Sequence, residues 1–245
     1  MYLTGEFNYQ DLMNMNDPFF WFECMHANEI LSLMRKRQIW FPRHSNQTDL
    51  ILDLNFYNIL YDQYKNWSDK SLVNSAPTMH EALTLFEMDS NILKYCNGEK
   101  PFSYDRKWDG AKRIYNVMNI KNTHFIAYEF LMEKGLVQVY DFNIDVCDEI
   151  TFLTVIQLIL ELWPKLLTQS GAFNHLPEKN LNDAWSYERL KDVPRSNFCA
   201  ACGPYACVFI DHLFTRTNLM RLNDNEVDNF RMRYIVAVIE KELNP

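Results

Sequence analysis

Three residues, Glu133-Lys134-Gly135, separate two short apolar runs, His124 to Met132 and Leu136 to Tyr140, and they constrain the fold more than any other stretch. A turn this short that ends in glycine reverses the chain into an antiparallel hairpin. Another run rich in β-branched and aromatic residues, Arg113 to Ile120, precedes the pair, and Trp185 to Val193 reads as a further strand stopped by Pro194. On either side the pattern is helical. Ala27 to Arg37 places Ile30, Leu31, Leu33 and Met34 at helical spacing and ends in basic residues, which suit a helix C-terminus. Leu50 to Trp67 reads as a second helix, and Pro77-Thr78 opens a third that stops at Asn97-Gly98. Ile150 to Leu167 is a long apolar helix with an interruption expected near Pro164. Pro204 to Phe214 and Glu226 to Leu243 complete the set, the last with Phe230, Tyr234, Ile235, Val238 and Ile239 as its buried stripe. Helices, then strands, then helices specify an α+β domain.

The length of 245 residues, 48% of them hydrophobic and 15% aromatic, suits one domain over 1–245. Its helical N-terminal part spans about 17–110 and its sheet-bearing part about 111–245. A net charge of −8 argues against a nucleic-acid surface, which would carry a basic excess. The run Thr151 to Trp163 contains Gln157 and Glu161 and falls short of the roughly 20 residues of a membrane span, so no membrane partner is expected. The first residues show no basic region leading into an apolar stretch, hence no secretory signal. Six irregularly spaced cysteines read as free thiols in a reducing, intracellular compartment, nucleus or cytoplasm.

Two cysteine patterns near the C-terminus mimic known chemistry. Cys202-Gly203-Pro204-Tyr205 echoes a thioredoxin motif, with Tyr205 where the second thiol belongs; Cys199 and Cys202 form a Cys-x-x-Cys without the strand that should precede it. Cys199, Cys202, Cys207 and His212 approximate zinc-knuckle spacing. Residues 207 and 212 lie on one predicted helix, where five positions turn through about 140° and prevent convergence on one ion. No metal and no cofactor are therefore expected.

A different constellation points to chemistry. His124 opens one strand, Asp141 follows the last strand residue after the hairpin, and Cys202 precedes Gly203-Pro204 at the start of a helix. Antiparallel strands joined by a tight turn bring the first residue of one near the last of the other. That is the geometry a base and its orienting carboxylate require. The start of a helix presents its positive dipole end to a thiolate, and proline there loses no helix hydrogen bond.

The arrangement resembles the ubiquitin-like-protein-specific, SUMO-deconjugating cysteine protease family, most of all its divergent, transposon-associated plant relatives. His124-Phe125, Tyr140-Asp141, then Val193-Pro194, Asn197 and Cys202-Gly203 match the family's motifs in order. Trp21-Phe-Glu and the helix from Glu29 match its opening, so the resemblance covers roughly residues 17–240. Three positions depart: Ser196 stands where the family has its oxyanion glutamine, Ala201 replaces the Asp before the cysteine, and Phe125 replaces a Trp.

The resemblance implies a papain-like α+β cysteine protease with a small central mixed sheet flanked by helices. It implies hydrolysis after the C-terminal glycine of a ubiquitin-like modifier, SUMO foremost. Cys202 would be the nucleophile, His124 the acid and base, and Asp141 the orienting group. Ser196 and Asn197 would occupy the oxyanion region, with Trp21 and Phe125 walling the channel for the substrate tail. Serine's shorter reach predicts an impaired hydrolase, since one oxyanion donor is typically worth about 100- to 1,000-fold in rate. The alternatives are a modifier-binding module that has lost turnover, or an acyltransferase on the same scaffold.

Overall fold

The computed structural model describes residues 8–68, 83, 86–219 and 222–241. At its centre is a five-stranded mixed sheet in sequential order. Strands β2 (Arg113–Ile120), β3 (His124–Leu131) and β4 (Leu136–Tyr140) form an antiparallel meander; β1 (Asp49–Ile51) adds parallel to β2, and β5 (Ser186–Leu190) parallel to β4. The expected hairpin is present, with Leu131 facing Leu136 and Gly135 at φ +63°. Glycine has a second reason to be there. A Cβ would come within 2.7 Å of Asn180 Oδ1, on a side chain whose amide nitrogen donates to the Met132 and Glu133 carbonyls.

Eight α-helices are present among the described residues: α1 (Tyr9–Asn16), α2 (Cys24–Trp40), α3 (Asn55–Ser68), α4 (Ser90–Cys96), α5 (Glu149–Ser170), α6 (Glu178–Asn182), α7 (Cys202–Thr215) and α8 (Asp224–Glu240). Side chains alternate across the sheet as the pleat demands. Ile126, Tyr128 and Phe130 face the layer built by α3, α4 and α5, while Phe125 and Ala127 face α2, α7 and α8. In the first layer Trp163 of α5 stacks on Phe130, with Trp108 at 5.2 Å and Phe56 at 5.7 Å between ring centroids.

Several details depart from expectation. The helix expected from Leu50 begins only at Asn55, because Asp53 Oδ1 accepts the Phe56 N–H at 3.1 Å and fixes the start there. The residues upstream pair with β2 instead, so the segment expected to be helical contributes a strand to the sheet. Pro164 does not interrupt α5. The Leu160 carbonyl, which Pro164 cannot reach for lack of an N–H, accepts the Trp185 N–H at 3.0 Å. On α8, Tyr234 and Val238 are buried as expected, but Ile239 is 63% exposed. Its place in the buried stripe goes to Arg231, whose Nη1 donates to the Met15 and Asp17 carbonyls at 3.0 and 3.1 Å. The fourth strand expected, Trp185 to Val193, ends already at Leu190. Of the third helix expected from Pro77, residues 77–82 and 84–85 lie outside the described residues; Phe86 to Asp89 are not helical, and α4 is a separate short helix capped by Asp89 and stopped at Asn97-Gly98 with Gly98 at φ +82°.

Helix α5 has 22 residues and contains an 18-residue window with a mean hydropathy of 1.6, long and apolar enough by length and composition to cross a membrane, and longer than the Thr151–Trp163 run. Half of that apolar window is nonetheless buried against the sheet, including Ile159, Leu162, Trp163 and Leu166. A core helix meets the same criterion. Trp163→Ala should destabilise the protein by about 3–5 kcal/mol, the usual scale for removing a buried tryptophan, whereas Ile239→Ser should stay within about 0.5 kcal/mol as an exposed change. Urea unfolding followed by fluorescence and circular dichroism measures both.

Candidate active site

The ends of three elements meet on one side of the sheet. His124 is the first residue of β3 and pairs with Ile120; Tyr140, the last of β4, pairs with Ala127, so Asp141 lies diagonal to His124 one step past the ladder. His124 Nε2 donates to Asp141 Oδ1 at 2.8 Å, with both side chains fully buried. A carboxylate only accepts, so this bond puts the proton on Nε2. Nδ1 makes no conventional hydrogen bond, and the Cys202 side chain lies close enough to act on the ring.

Cys202 is the first residue of α7, which follows a 3₁₀ turn, Cys199–Ala201. Its sulfur accepts the Phe125 N–H at 3.4 Å. Gly203 is required beside it, because a Cβ there would sit 2.7–3.0 Å from three atoms of Phe22. Phe22 is buried and its ring meets Phe125 at 6.3 Å. Two stacked constraints therefore set the depth of Cys202: an aromatic ring against the helix start, and a strand amide against the sulfur.

The acid is held from three directions. Asp141 Oδ1 also accepts the Asn143 N–H at 3.1 Å, and Oδ2 accepts from Arg189 Nη2. Arg189 was not legible in the sequence, because it lies on β5 opposite Val139 in a parallel pairing that no short turn announces. Burial opposes a charge on His124, but the hydrogen bond with Asp141, the Cys202 thiol and the Asp141 charge together raise it to about 9. Burial pushes Asp141 up, and the His124 hydrogen bond, the His124 charge and Arg189 more than reverse it, leaving it below the usual carboxylate range.

The oxyanion region differs from expectation. Ser196 Oγ donates to Asp224 Oδ1 at 3.1 Å and accepts the Phe198 N–H at 2.9 Å. Asn197 donates its side-chain nitrogen to Asp224 Oδ2 at 2.6 Å, and Tyr205 Oη donates to Oδ1 at 2.7 Å. Ser196 and Asn197 thus latch the loop before Cys202 to the first residue of α8. Phe125 does not wall an open channel either: its side chain is fully buried, packed behind Cys202 because odd-numbered residues of β3 face the α7 layer. Trp21 is half-buried. Phe22, its neighbour, is the residue that touches the helix carrying Cys202.

The zinc-knuckle spacing dissolves in three dimensions. Cys207 is fully buried on α7, where burial pushes its thiol far up, and His212 Nδ1 is hydrogen-bonded to the Val208 carbonyl at 2.9 Å. Among the described residues no group of three or more His, Cys, Asp or Glu side chains is placed to hold a metal ion.

Comparison with protein families decides the assignment: the model described as "Ulp1 protease family, C-terminal catalytic domain" matches residues 21–244. The chain belongs to the Ulp1 protease family. Its cysteine protease fold is the one seen in solved Ulp1 structures. The SUMO protease Ulp1 with its catalytic cysteine oxidised to a sulfinic acid superposes with a TM-score of 0.63 at 12% identity, covering 100% of this chain and 88% of that one. The C-terminal Ulp1 protease domain in complex with Smt3, the yeast ortholog of SUMO, gives 0.58 at 11% identity with both chains fully covered. The Chaetomium thermophilum Ulp1-like SUMO protease catalytic domain gives 0.54 at 10%, covering 94% of this chain and 76% of that one. A search of curated protein sequences finds no match. At such identities the Ulp1 fold persists while most of the sequence differs.

The raised histidine has a measurable signature. Its folded value near 9 lies above its ordinary 6.5, so the pair stabilises the fold fully below pH 6.5 and loses that contribution as pH rises through about 9. Asp141 is depressed below 3.8, so its share is present above that pH and is lost as pH falls through its lower folded value. An NMR titration of labelled histidine should place the His124 midpoint near 9 in the wild type. Asp141→Asn should drop it towards 6.5, and a wild-type midpoint already at 6.5 would contradict the geometry.

Proposed function

We propose that this Ulp1-family domain hydrolyses the peptide or isopeptide bond after the C-terminal glycine of a ubiquitin-like modifier, with SUMO as its first substrate. The observation that carries the proposal is the buried His124 ring, bonded to Asp141 on one side and facing Cys202 at the start of α7 on the other. The solved relatives act on SUMO, one of them in complex with Smt3, and this supports the choice of modifier.

In the proposed reaction Cys202 passes its thiol proton to His124 Nδ1, its sulfur attacks the scissile carbonyl carbon, and a tetrahedral oxyanion forms. As it collapses, the C–N bond breaks and His124 gives its proton to the leaving amine, which departs as a free lysine or N-terminus. Water then attacks the thioester; His124 takes a proton from it, and the C–S bond breaks to release the modifier's carboxylate and the thiol. Asp141 keeps the ring oriented through both halves. With Ser196 and Asn197 engaged by Asp224, stabilisation of the oxyanion falls to the backbone at the N-terminus of α7. No residue of this scheme calls on a metal or cofactor.

Within the family we propose a place among the divergent, transposon-associated plant members, which the sequence most resembles. An intracellular site, nucleus or cytoplasm, fits the conjugates it would process. Cys24, Cys96, Cys147, Cys202 and Cys207 are all free thiols, as a reducing compartment maintains them.

Single-turnover cleavage of SUMO and ubiquitin fusions tests the proposal. Wild type should release SUMO faster than ubiquitin, and Cys202→Ala and His124→Ala should release neither. Ser196→Gln should raise the rate if the added amide leaves the Asp224 latch, by up to the roughly 100-fold that one donor is worth. Binding of SUMO without any cleavage would instead identify a binding module, and consumption of an acyl-coenzyme A would identify a transferase.

A further inference from the structure

We propose that Arg189 is a positioning residue for the reaction: it fixes the orientation of the Asp141 carboxylate, and through it the His124 ring, against an anchor formed by Glu149 and Phe152. The inference rests on the hydrolytic reading above. Arg189 spreads its guanidinium between two carboxylates, Nη2 on Asp141 Oδ2 and Nη1 on Glu149 Oε2 at 2.9 Å. The flat face of the group lies over the Phe152 ring, 4.2 Å from its centre, and the side chain is only 9% exposed. The two oxygens of Asp141 are thus divided: Oδ1 serves His124 and the Asn143 amide, and Oδ2 serves Arg189.

That division matters because a carboxylate swings easily about its last side-chain bond. With Oδ2 gripped, Oδ1 stays aimed at Nε2. A planar fork suits the task, since it binds two acceptors in one plane and stacks on an aromatic ring at once; a lysine ammonium does neither. The outer anchor, Glu149, is the first residue of α5 and is 62% exposed, so the chain of contacts runs from the surface through Arg189, Asp141 and His124 to Cys202.

The test uses Arg189→Gln, Arg189→Lys and Glu149→Gln in the full chain. Cleavage of the SUMO fusion gives kcat and KM, and an NMR titration of His124 reads the geometry without requiring turnover. Arg189→Gln should lower kcat by about 10- to 100-fold with little change in KM, the scale seen when the outer partner of a metal-binding histidine is removed. Its His124 midpoint should fall below that of the wild type, because the bond to Asp141 loosens. Simple loss of a nearby cation would raise that midpoint, so its direction separates positioning from charge alone. Arg189→Lys should be intermediate, and Glu149→Gln should move both readouts the same way by less. An unchanged kcat, or an unchanged or raised midpoint, in a folded Arg189→Gln protein overturns the proposal. If that variant does not fold, unchanged readouts in both Arg189→Lys and Glu149→Gln do so. A wild type that cleaves nothing refutes the hydrolytic reading, while the titration still decides whether Arg189 orients the pair.

Discussion

A hydrogen bond sealed from solvent, from His124 Nε2 to Asp141 Oδ1, is the interaction on which the functional geometry depends. Burying an imidazole and a carboxylate costs free energy unless each is paired, and the pairing here is nearly complete. The carboxylate takes bonds from His124, Asn143 and Arg189. The imidazole's other nitrogen has no conventional hydrogen-bond partner, and the Cys202 side chain lies close enough to act on the ring. A fold built only for stability would satisfy both nitrogens. Leaving one available in the interior places the cost at the point where protons are to be moved.

The remainder of the structure supplies the frame for that bond. The meander sets His124 and Asp141 one diagonal apart, and α7 brings Cys202 in from the other layer. Phe22 sets how closely α7 approaches, since only glycine fits between its ring and the helix start. Arg231 in turn reaches from α8 to the Met15 and Asp17 carbonyls and lies over the Phe22 ring at 6.0 Å. With Arg231 on the buried stripe of α8, Ile239 turns to solvent. Asp224 at the start of the same helix closes the frame by binding Ser196, Asn197 and Tyr205.

What could be read from the sequence was what short-range chemistry determines. A glycine turn dictates the hairpin, the hairpin brings His124 and Asp141 together, and Cys-Gly-Pro announces a helix start. The features that escaped depend on contacts between distant segments. Strand β1 hides inside a helical pattern until β2 is present to pair with it, and Arg189 becomes meaningful only once β5 lies parallel to β4. Pro164 looks like a break until Trp185 supplies the missing donor. The oxyanion loop failed differently. Position alone suggested that Ser196 and Asn197 face the reacting carbonyl, whereas Asp224, more than twenty residues on, claims both side chains.

The central claim is that Cys202, alone among six cysteines, is a nucleophile prepared by His124 and Asp141. Its most direct test is covalent capture with SUMO carrying an electrophile in place of its C-terminal carboxylate. Intact-mass measurement at neutral pH, followed by peptide mapping, should show a single adduct on Cys202. Asp141→Asn should slow its formation, and His124→Ala should suppress it. An adduct centred on Cys199, or equal labelling of wild type and His124→Ala, would contradict the account.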